Sequence, residues 1–60
     1  MLKIAVFDEE HEKDLEEEIN HFLAELDDNQ VRDIKYSVTL TIDDDGEQLY
    51  CYSALILYSI

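Results

Sequence analysis

At Val31 the spacing of apolar residues changes. Before it, Leu15, Ile19, Phe22, Leu23 and Leu26 recur every three or four positions, as they would along one stripe of a helix. After it, Ile34, Tyr36, Val38, Leu40 and Ile42 alternate with Lys35, Ser37, Thr39 and Thr41, the period of a half-buried strand. No proline interrupts either segment, and the one glycine, Gly46, lies beyond both. One helix and one following strand are thereby set, and the remaining residues must be fitted around them.

The run LKIAVF, Leu2 to Phe7, is short, apolar and partly β-branched, which predicts a first strand. Asp8 is placed to end it and to cap the helix, with Glu9 and Glu10 in a first turn that favours carboxylates. The spacing predicts a helix over 9–27 that closes near Asn29, with Glu9, Lys13 and Glu17 set for i,i+4 ion pairs. Asp45-Gly46, within DDDGEQ, predicts a two-residue type I′ hairpin, and Leu49 to Ile60 forms the last strand.

That turn implies a register. Ile42 should face Leu49, Leu40 face Cys51, Val38 face Ser53, Tyr36 face Leu55 and Ile34 face Leu57. The helix stripe is expected to cover this side and to rest on Leu40 and Leu55. The reverse side then carries Tyr50, Tyr52, Ile56 and Tyr58, with Ala5 and Phe7 of the first strand. A slip of one residue exchanges every side chain between the two sides. The last strand is apolar on both faces, which places it centrally. The first and second strands then run parallel on either side of it, joined by a right-handed crossover through the helix. The expected fold is α+β: a single β-α-β-β domain over residues 1–60, a three-stranded sheet with one helix packed on one face.

Sixty residues bury only about 60% of the surface their unfolded chain exposes, and domains of this size are marginal alone. Disulfides, metals and oligomers are the usual remedies. Cys51 is the only cysteine, so no internal disulfide can form, and no Cys/His zinc pattern is present. Self-association is the remedy left. The expected homodimer interface is the tyrosine-rich reverse side, Phe7, Tyr50, Tyr52, Ile56 and Tyr58, because tyrosine packs its ring and keeps a hydrogen bond. Edge pairing into a six-stranded sheet is the rival geometry.

The chain carries 16 acidic and 4 basic side chains, a formal net charge of −12. Nucleic-acid binders neutralise phosphates with clustered Lys and Arg, whereas Lys3, Lys13, Arg32 and Lys35 are scattered. No nucleic-acid partner is expected, nor an acidic membrane surface. Phosphorylated ligands would meet the same repulsion, which makes a small-ligand or nucleotide sponge the least favoured reading. Hydrophobic residues are 47% of the chain, too many for a disordered acidic tail. The opening apolar run is too short for a secretory signal, and a free thiol suits a reducing compartment, so a cytoplasmic location is expected.

No catalytic constellation is legible. His11 in DEEHEKD lacks a second His at i+4, so it does not match the zinc-protease helix. DDDGE resembles the start of a calcium loop. Aligned on Gly46, however, its first and twelfth positions are Thr41 and Tyr52, which cannot supply the required carboxylates. Cys51 has no cation or base beside it to lower its pKa and is expected to be a buried, inert thiol. Ser37, Ser53 and Ser59 have no nucleophile motif. No enzyme, cofactor or metal is expected. The function expected is binding of another protein through a basic or hydrophobic surface, with inhibition of a host protein by a phage product as one version. The acids Glu10, Glu17, Glu18 and Glu25 form a second candidate surface, able to speed encounter with a basic partner or simply to keep the molecule soluble.

The segments FDEEHEKDLEEEINHFL, DIKYSV and YSALILY, taken together, resemble the small acidic Cse sporulation protein family of spore-forming bacteria over nearly the whole chain. The resemblance implies the same order of acidic helix and strand pair. It also implies a bacterial cytoplasmic setting, the mother-cell compartment among them, and a structural or assembly role during sporulation. It carries over no catalytic residue.

Overall fold

A computed structural model describes residues 1–60. Its elements run β1 (Leu2–Glu9), α1 (Glu12–Leu23), a short 3-10 turn (Asp28–Gln30), β2 (Val31–Ile42) and β3 (Gln48–Ser59). The sheet order is β1-β3-β2, with β3 antiparallel to both neighbours. This is the expected β-α-β-β fold, with the doubly apolar strand at the centre.

Both ends of the helix differ from expectation. Asp8 and Glu9 stay in β1, opposite Ser53 and Tyr52, and the Ser53 hydroxyl donates to Asp8 Oδ1 at 2.6 Å. A carboxylate with a partner across the sheet extends a strand that its charge alone appeared to end. His11 takes the N-cap position in extended conformation. Lys13 pairs with Glu16 at 3.3 Å, one turn away, rather than with Glu9 or Glu17. After Leu23 the chain turns into the crossover. There Gln30 accepts from the Asp27 amide at 2.8 Å and donates to the Ser59 carbonyl at 2.9 Å, tying the start of β2 to the end of β3.

The register is one residue away from the expected one. Ile42 pairs with Gln48, Leu40 with Tyr50, Val38 with Tyr52, Tyr36 with Ala54 and Ile34 with Ile56. The cause is the turn. A type I′ turn needs positive φ at both central residues, but Gly46 alone has positive φ, at 82°. The loop instead has three residues, Asp44 to Gly46, and is closed by the Asp43 amide on the Glu47 carbonyl at 3.0 Å. Asp43 Oδ1 accepts from the amides of Asp45 and Glu47 at 3.0 and 2.8 Å, a side-chain bridge that favours this longer loop. At the far end, a bulge between Val31 and Asp33 absorbs the extra residue of β2.

The slip exchanges the faces of β3. The helix still lies on the side that holds Tyr36, but it packs on β1 and β3, so Tyr50, Tyr52, Ala54, Ile56 and Tyr58 share its side. Phe22 meets Phe7 and Tyr58 edge-on, at ring-centre distances of 5.5 and 5.2 Å. Leu55 turns to the helix-free side, and Leu40 stays about half exposed on β2 while the helix packs on β1 and β3, so the expected helix contacts on Leu40 and Leu55 are both corrected. Cys51, expected to be buried opposite Leu40, is exposed and opposite Thr39.

Only Leu15, Ala54 and Ile56 are fully buried among the 60 residues. The reason is a mismatch of lengths. A twelve-residue helix spans about 18 Å and a twelve-residue strand about 40 Å, and the molecule is a slab of 45 × 18 × 10 Å. One short helix cannot roof the long β2–β3 hairpin.

Candidate protein-binding surfaces

The five residues expected to form a free tyrosine face divide. Ile56 is fully buried, and Phe7 and Tyr58 are half-buried against Phe22. These three are used by the protomer's own core, which corrects the expectation that they lie on an uncovered face. Tyr50 and Tyr52 extend toward the turn, where their rings stack at 6.1 Å. Tyr50 remains 42% exposed. Partial burial beside Glu12, Tyr36 and Tyr50 holds the Tyr52 phenol above its usual range.

Two apolar surfaces stay in contact with solvent. The first lies beside the helix, where β2 presents Ile34, Tyr36, Val38, Leu40 and Ile42, each between 47% and 64% exposed. Between this stripe and α1 runs a groove of about 410 Å³, lined by Leu15, Ile19 and Tyr36 with Glu12, Glu16 and Asn20 among its polar walls. The second surface is the helix-free side of the sheet. There Leu2, Ile4 and Val6 of β1 stand 60%, 60% and 63% exposed, next to Leu55 and Leu57 of β3. Neither surface was legible, because the expected register gave the first to the helix and placed the second's leucines beneath it. The signal that could have revealed both was Asp43, whose side chain can bridge the amides of a three-residue loop.

The acids gather on the opposite flank. Glu10, Glu17, Glu18 and Glu25 are all exposed, and Glu17, Glu18 and Glu25 surround a shallow recess with His21 and the Phe7–Phe22 contact. Glu9, at the end of β1, is raised above its ordinary 4.5, first by hydrogen bonding with the Glu18 side chain, then by partial desolvation and the charges of Glu18, Asp14 and Glu10. A carboxyl raised in the fold binds more protons folded than unfolded. Stability therefore rises as pH falls through the folded value toward 4.5 and is lost again as pH climbs. Urea midpoints should be higher at pH 5 than at pH 7, and Glu9→Gln should raise the pH 7 midpoint and flatten part of that difference. A midpoint that falls between pH 7 and pH 5 would contradict this assignment.

His11 and Cys51 line one shallow recess together with Asp8, Glu9, Glu10 and Asp14. No cluster of three His, Cys, Asp or Glu side chains is arranged to hold a metal ion, and no helix is long and apolar enough to cross a membrane. The geometry offers apolar shelves and a carboxylate flank.

Comparison with known proteins agrees over the full length. The family described as "Sporulation protein Cse60" matches residues 1–60. "Sporulation protein cse60" of Bacillus subtilis (strain 168) is 67% identical over 58 residues, covering 97% of this chain and 97% of that protein. No solved structure matches the chain. The chain belongs to the sporulation protein Cse60 family, and its role is related to sporulation.

Proposed function

We propose that the protein acts in sporulation as a non-enzymatic binding protein, through direct contact with another protein. The observation that carries this reading is the β2 stripe beside the helix. A 60-residue chain leaves Ile34, Tyr36, Val38, Leu40 and Ile42 about half exposed along one strand, and contiguous apolar surface of this kind marks interaction sites. The groove against α1 gives the stripe a wall, so a partner segment laid along β2 meets apolar residues below and a mixed polar flank at its side. The partner fitted by this shape presents a hydrophobic segment, with basic residues where it passes the carboxylates of α1. Occupying a partner's surface and holding an assembly together are two consequences of the same contact. The exposed free thiol of Cys51 fits a reducing cytoplasmic setting.

The test is recovery of the tagged protein from sporulating cells, unmodified and as Leu40→Asp. Leu40 is 49% exposed, so the fold should tolerate the change, which circular dichroism checks. One partner in stoichiometric amount, reduced at least tenfold by Leu40→Asp, is the expected result; a tenfold loss corresponds to about 1.4 kcal/mol. Recovery of no stoichiometric protein partner, or capture indifferent to Leu40→Asp, would overturn the reading.

A further inference from the structure

The helix-free side of the sheet differs from the rest of the molecule in charge as well as in shape. Cross-strand partners share a face, so this side holds Leu2, Ile4, Val6 and Asp8 of β1. From β3 it takes Leu49, Cys51, Ser53, Leu55 and Leu57, and from β2 Asp33, Lys35, Ser37, Thr39 and Thr41. Its charged groups along the paired strands are Asp8, Asp33 and Lys35, and the Asp43–Glu47 pair continues the same register at the turn end. The chain has 16 acids, so the other twelve lie elsewhere. A molecule of net charge −12 thus keeps the aliphatic half of this side, Leu2, Ile4, Val6, Leu55 and Leu57, free of carboxylates.

We propose that this side is a self-association surface, on which two copies pack sheet to sheet through Ile4, Val6, Leu55 and Leu57 with both helices outward. Three arguments select a second copy as the occupant. The first is electrostatic. A basic partner would be drawn to the carboxylates of α1 and its flank, whereas the aliphatic half of this side offers such a partner almost no attraction. Two copies meeting here through the aliphatic half bring together surface that lacks the helix carboxylates. Sheets packed face to face lie about 10 Å apart, and the acid-rich helices sit beyond them on opposite outer surfaces. Their separation exceeds the screening length of about 8 Å at physiological salt.

The second argument is area. The slab outlines a face of 45 × 18 Å, of which the aliphatic half is about 400 Å², so two copies would bury about 800 Å² in all, the size of a weak, concentration-dependent interface. The third is the core. Each protomer has three fully buried residues, and stacking two identical sheets would enclose the aliphatic half of both. The proposal is independent of the β2 groove, which stays open on the outer surface of such a dimer.

Sedimentation of the purified protein at high micromolar concentration tests this directly. The expected mass is twice the 7.1 kDa of one chain. Ile4→Asp and Val6→Asp should halve that mass with the circular dichroism spectrum retained, since both side chains are more than half exposed within the protomer. Leu40→Asp should leave the dimer intact. Raising the salt concentration should tighten association by screening the like charges. A monomeric unmodified protein would overturn the proposal, as would a dimer that survives Ile4→Asp and Val6→Asp, which would point to the β2 edge or stripe. Should both variants fail to fold, methyl signals of the unmodified protein decide. A soluble paramagnetic probe should bleach Ile42 and spare Ile4, Val6, Leu55 and Leu57; equal bleaching would refute the interface.

Discussion

Leu15→Ala is expected to leave most of the protein unfolded at 25 °C. Leu15 is the only fully buried residue of α1, 2% exposed, and it fastens the helix to the sheet. Removing a buried leucine side chain beyond Cβ costs about 2–5 kcal/mol. At about 0.05–0.15 kcal/mol per residue, a chain of 60 residues has about 3–9 kcal/mol in total. The loss is therefore a large fraction of the whole, and self-repulsion among the carboxylates opposes the compact state further. Urea unfolding followed by circular dichroism checks this, with Ile42→Ala as the comparison. Ile42 is 64% exposed, and its truncation should change stability by no more than about 0.5 kcal/mol. Equal effects of the two substitutions would mean that the helix does not dock through Leu15.

Gly46→Val should destabilise by about 1–3 kcal/mol, the cost of holding a residue other than glycine in the left-handed region. Gly46 sits at φ 82°, and a Cβ added there would meet nothing within 4 Å. The penalty is therefore one of backbone conformation, free of steric collision. Gly46→Asn separates the two, because asparagine enters the left-handed region several times more readily than most residues and should recover much of the loss. For a domain of this size, 1 kcal/mol moves the melting temperature by about 4–8 °C, so thermal melts resolve the three proteins. A valine variant as stable as the parent would show that Gly46 does not occupy the left-handed region.

The order of elements was legible from periodicity, since the change at Val31 separates helix from strand and the doubly apolar YCYSALILYS segment can only be a central strand. The helix stripe was legible too: Leu15 is buried, and Ile19, Phe22, Leu23 and Leu26 are half-buried. The register was not. Three successive aspartates before one glycine permit a two-residue or a three-residue loop, and the choice rests on a hydrogen-bonding detail, the bridge from Asp43 to two amides. Because strand side chains alternate, that one residue decided which half of β3 met the helix. Ile56 and Cys51 were exchanged by it, and so were the surfaces left free. The start of the helix was hidden for a related reason. Asp8 reads as a strand breaker and a cap, and only its partner Ser53, 45 positions away, keeps it in the sheet. Short-range rules see charge and propensity, whereas these outcomes depended on pairings across the sheet.

The placement of faces underlies the groove, the aliphatic side and the small core together, and nuclear Overhauser contacts of the Phe22 ring in the purified protein test it most directly. The account predicts contacts from Phe22 to the rings of Phe7 and Tyr58, and from the Leu15 methyls to Ala54 and Ile56. Contacts from Phe22 or Leu15 to Leu55 and Leu57 instead would contradict it and return the tyrosines to the open side of the sheet.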